Sequence, residues 1–212
     1  MPPKPKFTKE EIVAAALELV SQRGMEALTA RDLAAALGSS ASPIFTVFQN
    51  MEQVQQAVKQ AALERYSTFV EEAIGYTPAF KQFGMRMIRF ANEEPKLFQL
   101  LFMTEQEKDR RFEDMFAGLG RTAQTCIDVI QSDYGLTQQD AKLLFQHVWI
   151  HTFGIGVMCA TRVCHFTENE INEMLGQDFA AAIMLVKSGN LHQPTVRPIL
   201  KPDYSSNPQT QN

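Results

Sequence analysis

His147 and His151 stand four residues apart, a spacing that puts both imidazoles on one face of a helix and could hold a metal ion. Neither an HExxH run nor a third ligand accompanies them, so the pair predicts no metal site. Cys159, Cys164 and His165 have no helical spacing suited to a zinc ion, and the same spacing predicts no catalytic thiol–imidazole pair. Cys126, Cys159 and Cys164 are odd in number and form no CxxC, which fits reduced packing thiols better than a disulfide framework. Gly118-Leu119-Gly120 lacks the next glycine, the preceding strand and the lysine of a phosphate-cradling loop. The residues therefore predict no catalytic site, no metal, no cofactor and no enzyme.

Binding chemistry is better represented. Lys4, Lys6 and Lys9 share the first nine residues with no acid, so this arm can touch phosphate while the remainder faces solvent. The net charge of −4 and pI near 5.6 exclude a protein that coats nucleic acid over its whole surface. Small polar residues recur at Thr29, at 39–42 and at Thr46, with Arg31 among them. Farther on, Phe80, Phe83, Phe90, Phe98, Phe102, Phe112 and Phe116 are interleaved with Met85, Met87, Met103 and Met115. Aromatic rings with flexible thioethers line adaptable apolar pockets, and they also fill ordinary cores. Few charges interrupt these stripes, so any occupant is expected to be hydrophobic or weakly polar.

Helices must position these side chains, because no stretch alternates apolar and polar residues as a half-buried strand would. The expected class is all-α with about nine helices. Helix starts are signalled by capping boxes at Thr8-x-x-Glu11, Thr29-x-x-Asp32, Asn50-x-x-Gln53, Thr104-x-x-Glu107, Thr137-x-x-Asp140 and Thr167-x-x-Glu170. Stops are expected at Gly24, Gly38, Gly75 and Gly189, with Thr77 capping a helix whose first turn holds Pro78. Pro95 separates a helix near 81–92 from a short one near 96–103. Residues 1–50 form one domain and 51–190 a second. Residues 191–212, with four prolines among polar residues, are expected to be extended or disordered.

Within the first domain, a helix over 8–23 carries Ile12, Val13, Ala16, Leu17 and Val20 on one face. A second helix offers Leu33, Ala34 and Leu37, and a glycine turn leads to a third ending in Ile44-Phe45-Thr46-Val47-Phe48. Two short helices around a glycine turn, the second buried through Ile44 and Phe48, form a helix-turn-helix. Its outer face, here 39–42 and Thr46, can enter a major groove about 12 Å wide. Three packed helices of an enzyme or adaptor would show the same spacing.

Thr29-Ala30-Arg31-Asp32-Leu33-Ala34, Leu37-Gly38-x-Ser40, Ile44-Phe45-x-x-Phe48, then Glu52 and Val54, resemble the DNA-binding domain of TetR-family transcriptional regulators. The resemblance spans roughly residues 6–54. It implies a homodimeric repressor of double-stranded operator DNA, released by a small hydrophobic effector. It also implies phosphate contact by Thr29, base or phosphate contact by Arg31, and an arm of Lys4 and Lys6 beside the groove. Ser40, Ala41, Ser42, Phe45 and Thr46 would face the DNA. Phe45 stands where the family usually has Tyr, Val47 where it often has His or Tyr, and Met51 where a Lys is common. These departures predict a shallower salt dependence, and they leave a helical adaptor with degraded DNA binding as the alternative.

The family resemblance also implies a pocket in the second domain, for which Phe69, Phe83, Met87, Phe90, Phe102, Phe116 and Trp149 are the candidate lining. Helices near 143–164 and 168–187 carry broad apolar faces and are expected to make the dimer interface. Gly154, Gly156 and Ala180 to Ala182 would permit close helix approach there. Trp149-Ile150-His151-Thr152-Phe153-Gly154 is similar to a Trp-x-x-x-His-Gly pattern in one branch of the family, with Phe153 at the His position, so no role of that His transfers. No run reaches the roughly 18 apolar residues of a membrane span, since Glu18 interrupts 12–20 and Arg162 follows 155–160. The positive start precedes no continuous apolar region, so the chain is expected to be cytoplasmic.

Overall fold

A computed structural model describes residues 5–105, 116, 119 and 121–192. Among them are nine α-helices and no strand. Helix α1 (Lys9–Arg23) begins in a reciprocal cap: the Thr8 hydroxyl accepts from the Glu11 amide at 3.2 Å, and Glu11 accepts from the Thr8 amide at 2.8 Å. It buries Ile12, Ala16, Leu19 and Val20, while Val13 and Leu17 are half-buried. The stripe is thus turned slightly from the predicted one, toward Leu19. Gly24, at φ 85°, ends the helix.

Helices α2 (Ala30–Ala36) and α3 (Ser42–Phe45) close over α1 through Leu33, Ala34, Ile44 and Phe48. Helix α4 (Met51–Glu71) starts where the Asn50 side chain accepts from the Gln53 amide at 2.9 Å. It ends at Glu71, where a 3₁₀ turn over Glu72–Gly75 takes over.

Helix α5 (Ala79–Glu93) follows with Pro78 itself in the capping position and no side-chain cap, which replaces the expected Thr77 cap. Pro95 opens α6 (Pro95–Phe102). Then come α7 (Arg121–Tyr134), α8 (Gln138–Ala160) and α9 (Glu168–Lys187), the last two capped by Thr137 and Thr167. Glu107 of the expected Thr104 box, Phe112, Met115, the Gly118 and Gly120 pair and residues 193–212 of the expected tail lie outside the described residues.

Helix α8 is the axis of the second layer, with α5, α6, α7 and α9 packed around it. Its length and mean hydropathy of 1.4 would suffice to cross a membrane, but Ala141, Leu144, Phe145, Val148, Trp149 and Ile155 are spent on this packing. Gly156 permits that packing: a β-carbon there would lie 2.9 Å from Cζ of Phe98 on α6. The two layers share a seam. α1 packs on α4 and α6, and at their junction the Ser21 hydroxyl donates to Glu94 at 2.6 Å while Arg65 pairs with Glu94.

Candidate functional sites

The first site is the outer face of the N-terminal three helices. Ile44, fully buried, and Phe48 anchor α3 inward, so Ser40, Ser42, Phe45 and Thr46 are exposed and Ala41 is half-buried. Phe45 is 44% exposed, unusual for a ring that makes no ring contact among the described residues. The Thr46 hydroxyl donates to the Pro43 carbonyl at 2.7 Å, leaving its methyl and an oxygen lone pair for a partner. The arm docks beside this face: the Lys6 ammonium donates to the Ser39 hydroxyl at 3.0 Å. Lys4 lies outside the described residues.

At the start of α2, the Thr29 oxygen accepts from the Asp32 amide at 3.1 Å and its proton goes to the Asp32 carboxylate at 2.5 Å. That bond, aided by Arg23, holds the Asp32 carboxyl below its usual range. The Thr29 hydroxyl is therefore occupied within the protein. Arg31 beside it is exposed and makes no hydrogen bond or ion pair among the described residues.

The second site is a cavity of about 90 Å³ between α4, α5, α7, α8 and α9. Tyr66 and Val70 of α4, Phe83 and Met87 of α5, Cys126 of α7, Val148 and Trp149 of α8 and Leu175 of α9 make a buried apolar wall. Burial pushes the Tyr66 hydroxyl and the Cys126 thiol well above their usual ranges, so neither ionises here. Thr122 donates to Ser67 at 3.1 Å and Thr152 to the Val148 carbonyl at 2.9 Å, whereas the buried Trp149 indole N–H has no acceptor among the described residues.

Residues 12–58, which hold α1 to α3 and the start of α4, match the model of the bacterial regulatory proteins of the tetR family. This N-terminal domain belongs to the tetR family. Its helix-turn-helix is a DNA-binding one, and the chain's class of work is transcriptional regulation. A candidate TetR-family transcriptional regulator from Mesorhizobium loti MAFF303099 superposes with a TM-score of 0.58 at 17% identity, covering 83% of this chain and 95% of that one. A TetR transcriptional regulator from Streptomyces coelicolor gives 0.50 at 19% identity, covering 89% and 100%. At such identities the likeness is one of fold, and it extends the tetR-type architecture through the second layer. Comparison with curated proteins by sequence finds no match.

On this tetR-type frame, Phe83, Met87 and Trp149 reach the cavity as read from the sequence. Phe69, Phe90, Phe102 and Phe116 are not among its lining residues. Phe69 and Phe102 set their rings around Phe90 and Tyr66, at 5.5 Å for Phe69–Phe90 and 5.0 Å for Tyr66–Phe102. Phe116 stands edge-on to Trp149 at 5.2 Å, one layer behind the wall. Tyr66, Cys126, Thr152, Leu175 and Phe179 line the cavity without any sequence signal, because each sits in an apolar stripe indistinguishable from core.

Gly156 makes its close approach inside the protomer, whereas none of the described residues lies within 4 Å of a β-carbon on Gly154. The outer faces of α8 and α9 carry exposed Ile150, Ala180, Ala181, Met184 and Leu185. His147 and His151 are exposed on α8, and His151 Nδ1 lies 3.7 Å from Asp178 Oδ1. No three His, Cys, Asp or Glu side chains gather among the described residues.

Proposed function

We propose that the chain is a homodimeric repressor that binds operator DNA through α2, α3 and the Lys6 arm and is released by a small apolar effector. The observation that supports it best is the double duty of α4. This helix begins at Met51, joined to α3 by the short stretch 46–50, and supplies Tyr66 and Val70 to the cavity wall.

A cavity of about 90 Å³ is smaller than the roughly 150 Å³ that admits benzene, so an effector of any bulk must push the wall outward. Displacing the α4 wall tilts the helix that carries α3, and α1 follows through Ser21, Glu94 and Arg65. Regulation then needs only that the effector bind the two arrangements with different free energy, about 1.4 kcal/mol for each tenfold shift in their ratio. For the dimer, the exposed apolar side chains Ile150 of α8 and Met184 and Leu185 of α9 mark the surface that association would cover. Such a protein would work in the cytoplasm.

DNase footprinting on the DNA upstream of the chain's own reading frame tests this reading. Two related half-sites about one helical turn apart are expected. A single unpaired half-site, or a monomer in sedimentation at micromolar concentration, would contradict it.

A further inference from the structure

The cavity has an outer and an inner part. Its inner wall is fully buried, but Pro78 is exposed and Lys81, Tyr134, Gly176 and Phe179 are half-buried, so this rim reaches solvent. Lys81 is the one charged side chain among the described lining residues. It makes no hydrogen bond and no ion pair among the described residues. Its Nζ lies 3.5 Å from where a β-carbon on Gly176 would stand, so the bare backbone of α9 leaves space beside the ammonium.

We infer that the cavity takes an apolar organic acid, with its carboxylate on the Lys81 ammonium at the rim and its hydrocarbon part on the inner wall. This rests on the cavity being the effector site proposed above. The charge balance selects the class. A cation would meet a like charge and no carboxylate among the described lining residues. A neutral apolar molecule would leave the ammonium without a partner in a partly desolvated rim. A dianion such as a phosphate monoester would keep a second charge unpaired against an apolar wall. One carboxylate and one ammonium close the account, with a charge-assisted bond stronger than a neutral one.

The chain contains a single Trp, and Trp149 is on the inner wall, so its emission reports occupancy directly. The full-length protein would be titrated with octanoate, octan-1-ol and octylamine, and calorimetry would give affinities for wild type and Lys81→Met. Octanoate should bind about tenfold or more tightly than the alcohol and the amine, and Lys81→Met should erase that preference. Because Lys81 makes no hydrogen bond or ion pair among the described residues, the variant should melt with wild type, which separates loss of charge from loss of fold. Equal binding of acid and alcohol, an acid preference that survives Lys81→Met, or no octanoate binding at millimolar concentration would each overturn the inference. DNA affinity measured in the same samples separates the two proposals. Charge-selective binding with no change in DNA affinity would sink the effector reading alone, whereas release by octan-1-ol as readily as by octanoate would sink the ligand class alone.

Discussion

Replacing Gly156 by alanine adds one methyl group where the packing leaves no room for it. The new β-carbon would stand 2.9 Å from Phe98 Cζ and 3.3 Å from Cε2, closer than carbon atoms approach without displacement. The ring has little freedom to retreat: Phe98 is fully buried and held by Phe102 at 4.8 Å and Phe153 at 6.1 Å. Overpacking of this kind costs about 1–3 kcal/mol. Alanine recovers about 1 kcal/mol of helix propensity, so the net loss for Gly156→Ala should be about 0–2 kcal/mol.

Gly154→Ala, two residues along the same helix, has nothing within 4 Å and should gain the full propensity of about 1 kcal/mol within the protomer. The two variants should therefore differ by about 1–3 kcal/mol, or several degrees in Tm for a chain of this size. Urea unfolding of both, at several protein concentrations, measures this and separates folding from association. A Gly156→Ala protein as stable as Gly154→Ala would refute the assigned α6–α8 contact. If Gly154 lies at a close helix crossing between protomers, Gly154→Ala should weaken dimerisation while leaving the protomer intact.

Arg31→Ala should weaken DNA binding without lowering Tm, since the guanidinium is exposed and makes no hydrogen bond or ion pair among the described residues; equal loss of Tm and affinity would make it structural. Thr46→Ala also removes the hydroxyl's bond to the Pro43 carbonyl, so a small stability loss of about 1 kcal/mol should accompany its loss of affinity, read by thermal melting beside a binding titration. Of the three thiols, Cys164 should react with a colorimetric disulfide reagent under native conditions well before Cys126 and Cys159, which are buried and whose thiol pKa values burial raises. Rapid reaction of Cys126 in the folded protein would mean that the cavity wall opens freely.

Local chemistry made the helix boundaries legible. Thr8, Thr29, Asn50, Thr137 and Thr167 all cap as their spacing to an acid or amide indicated, because a first-turn amide is satisfied by the nearest side-chain oxygen whatever the tertiary fold. Helix α9 spans the residues read for it. Helix α8 begins five residues before the apolar run at Leu143, at the Thr137 cap, and ends at Ala160 before Arg162 takes a φ of 58°. There the cap was the truer signal.

What periodicity could not supply is the distinction between a wall and a core. Phe83 and Phe90 lie seven residues apart on one stripe of α5, yet Phe83 faces the cavity and Phe90 is clasped by Tyr66 and Phe69. Which of two buried rings borders empty space depends on α7 and α9, brought there by tertiary packing. Likewise, Thr29 reads as a phosphate ligand from its position, whereas in the fold its hydroxyl donates a hydrogen bond to the Asp32 carboxylate.

The central claim is that the exposed face of α2 and α3, with the Lys6 arm, binds duplex DNA. Fluorescence anisotropy with a labelled duplex from the chain's own upstream region, titrated between 50 and about 300 mM salt, tests it most directly. The account predicts binding whose logarithmic affinity falls linearly with logarithmic salt, with a slope made shallower by Arg31→Ala and by Lys6→Ala, since each removes about one phosphate contact. No binding even at the lowest salt, or a slope unchanged in both variants, would contradict it.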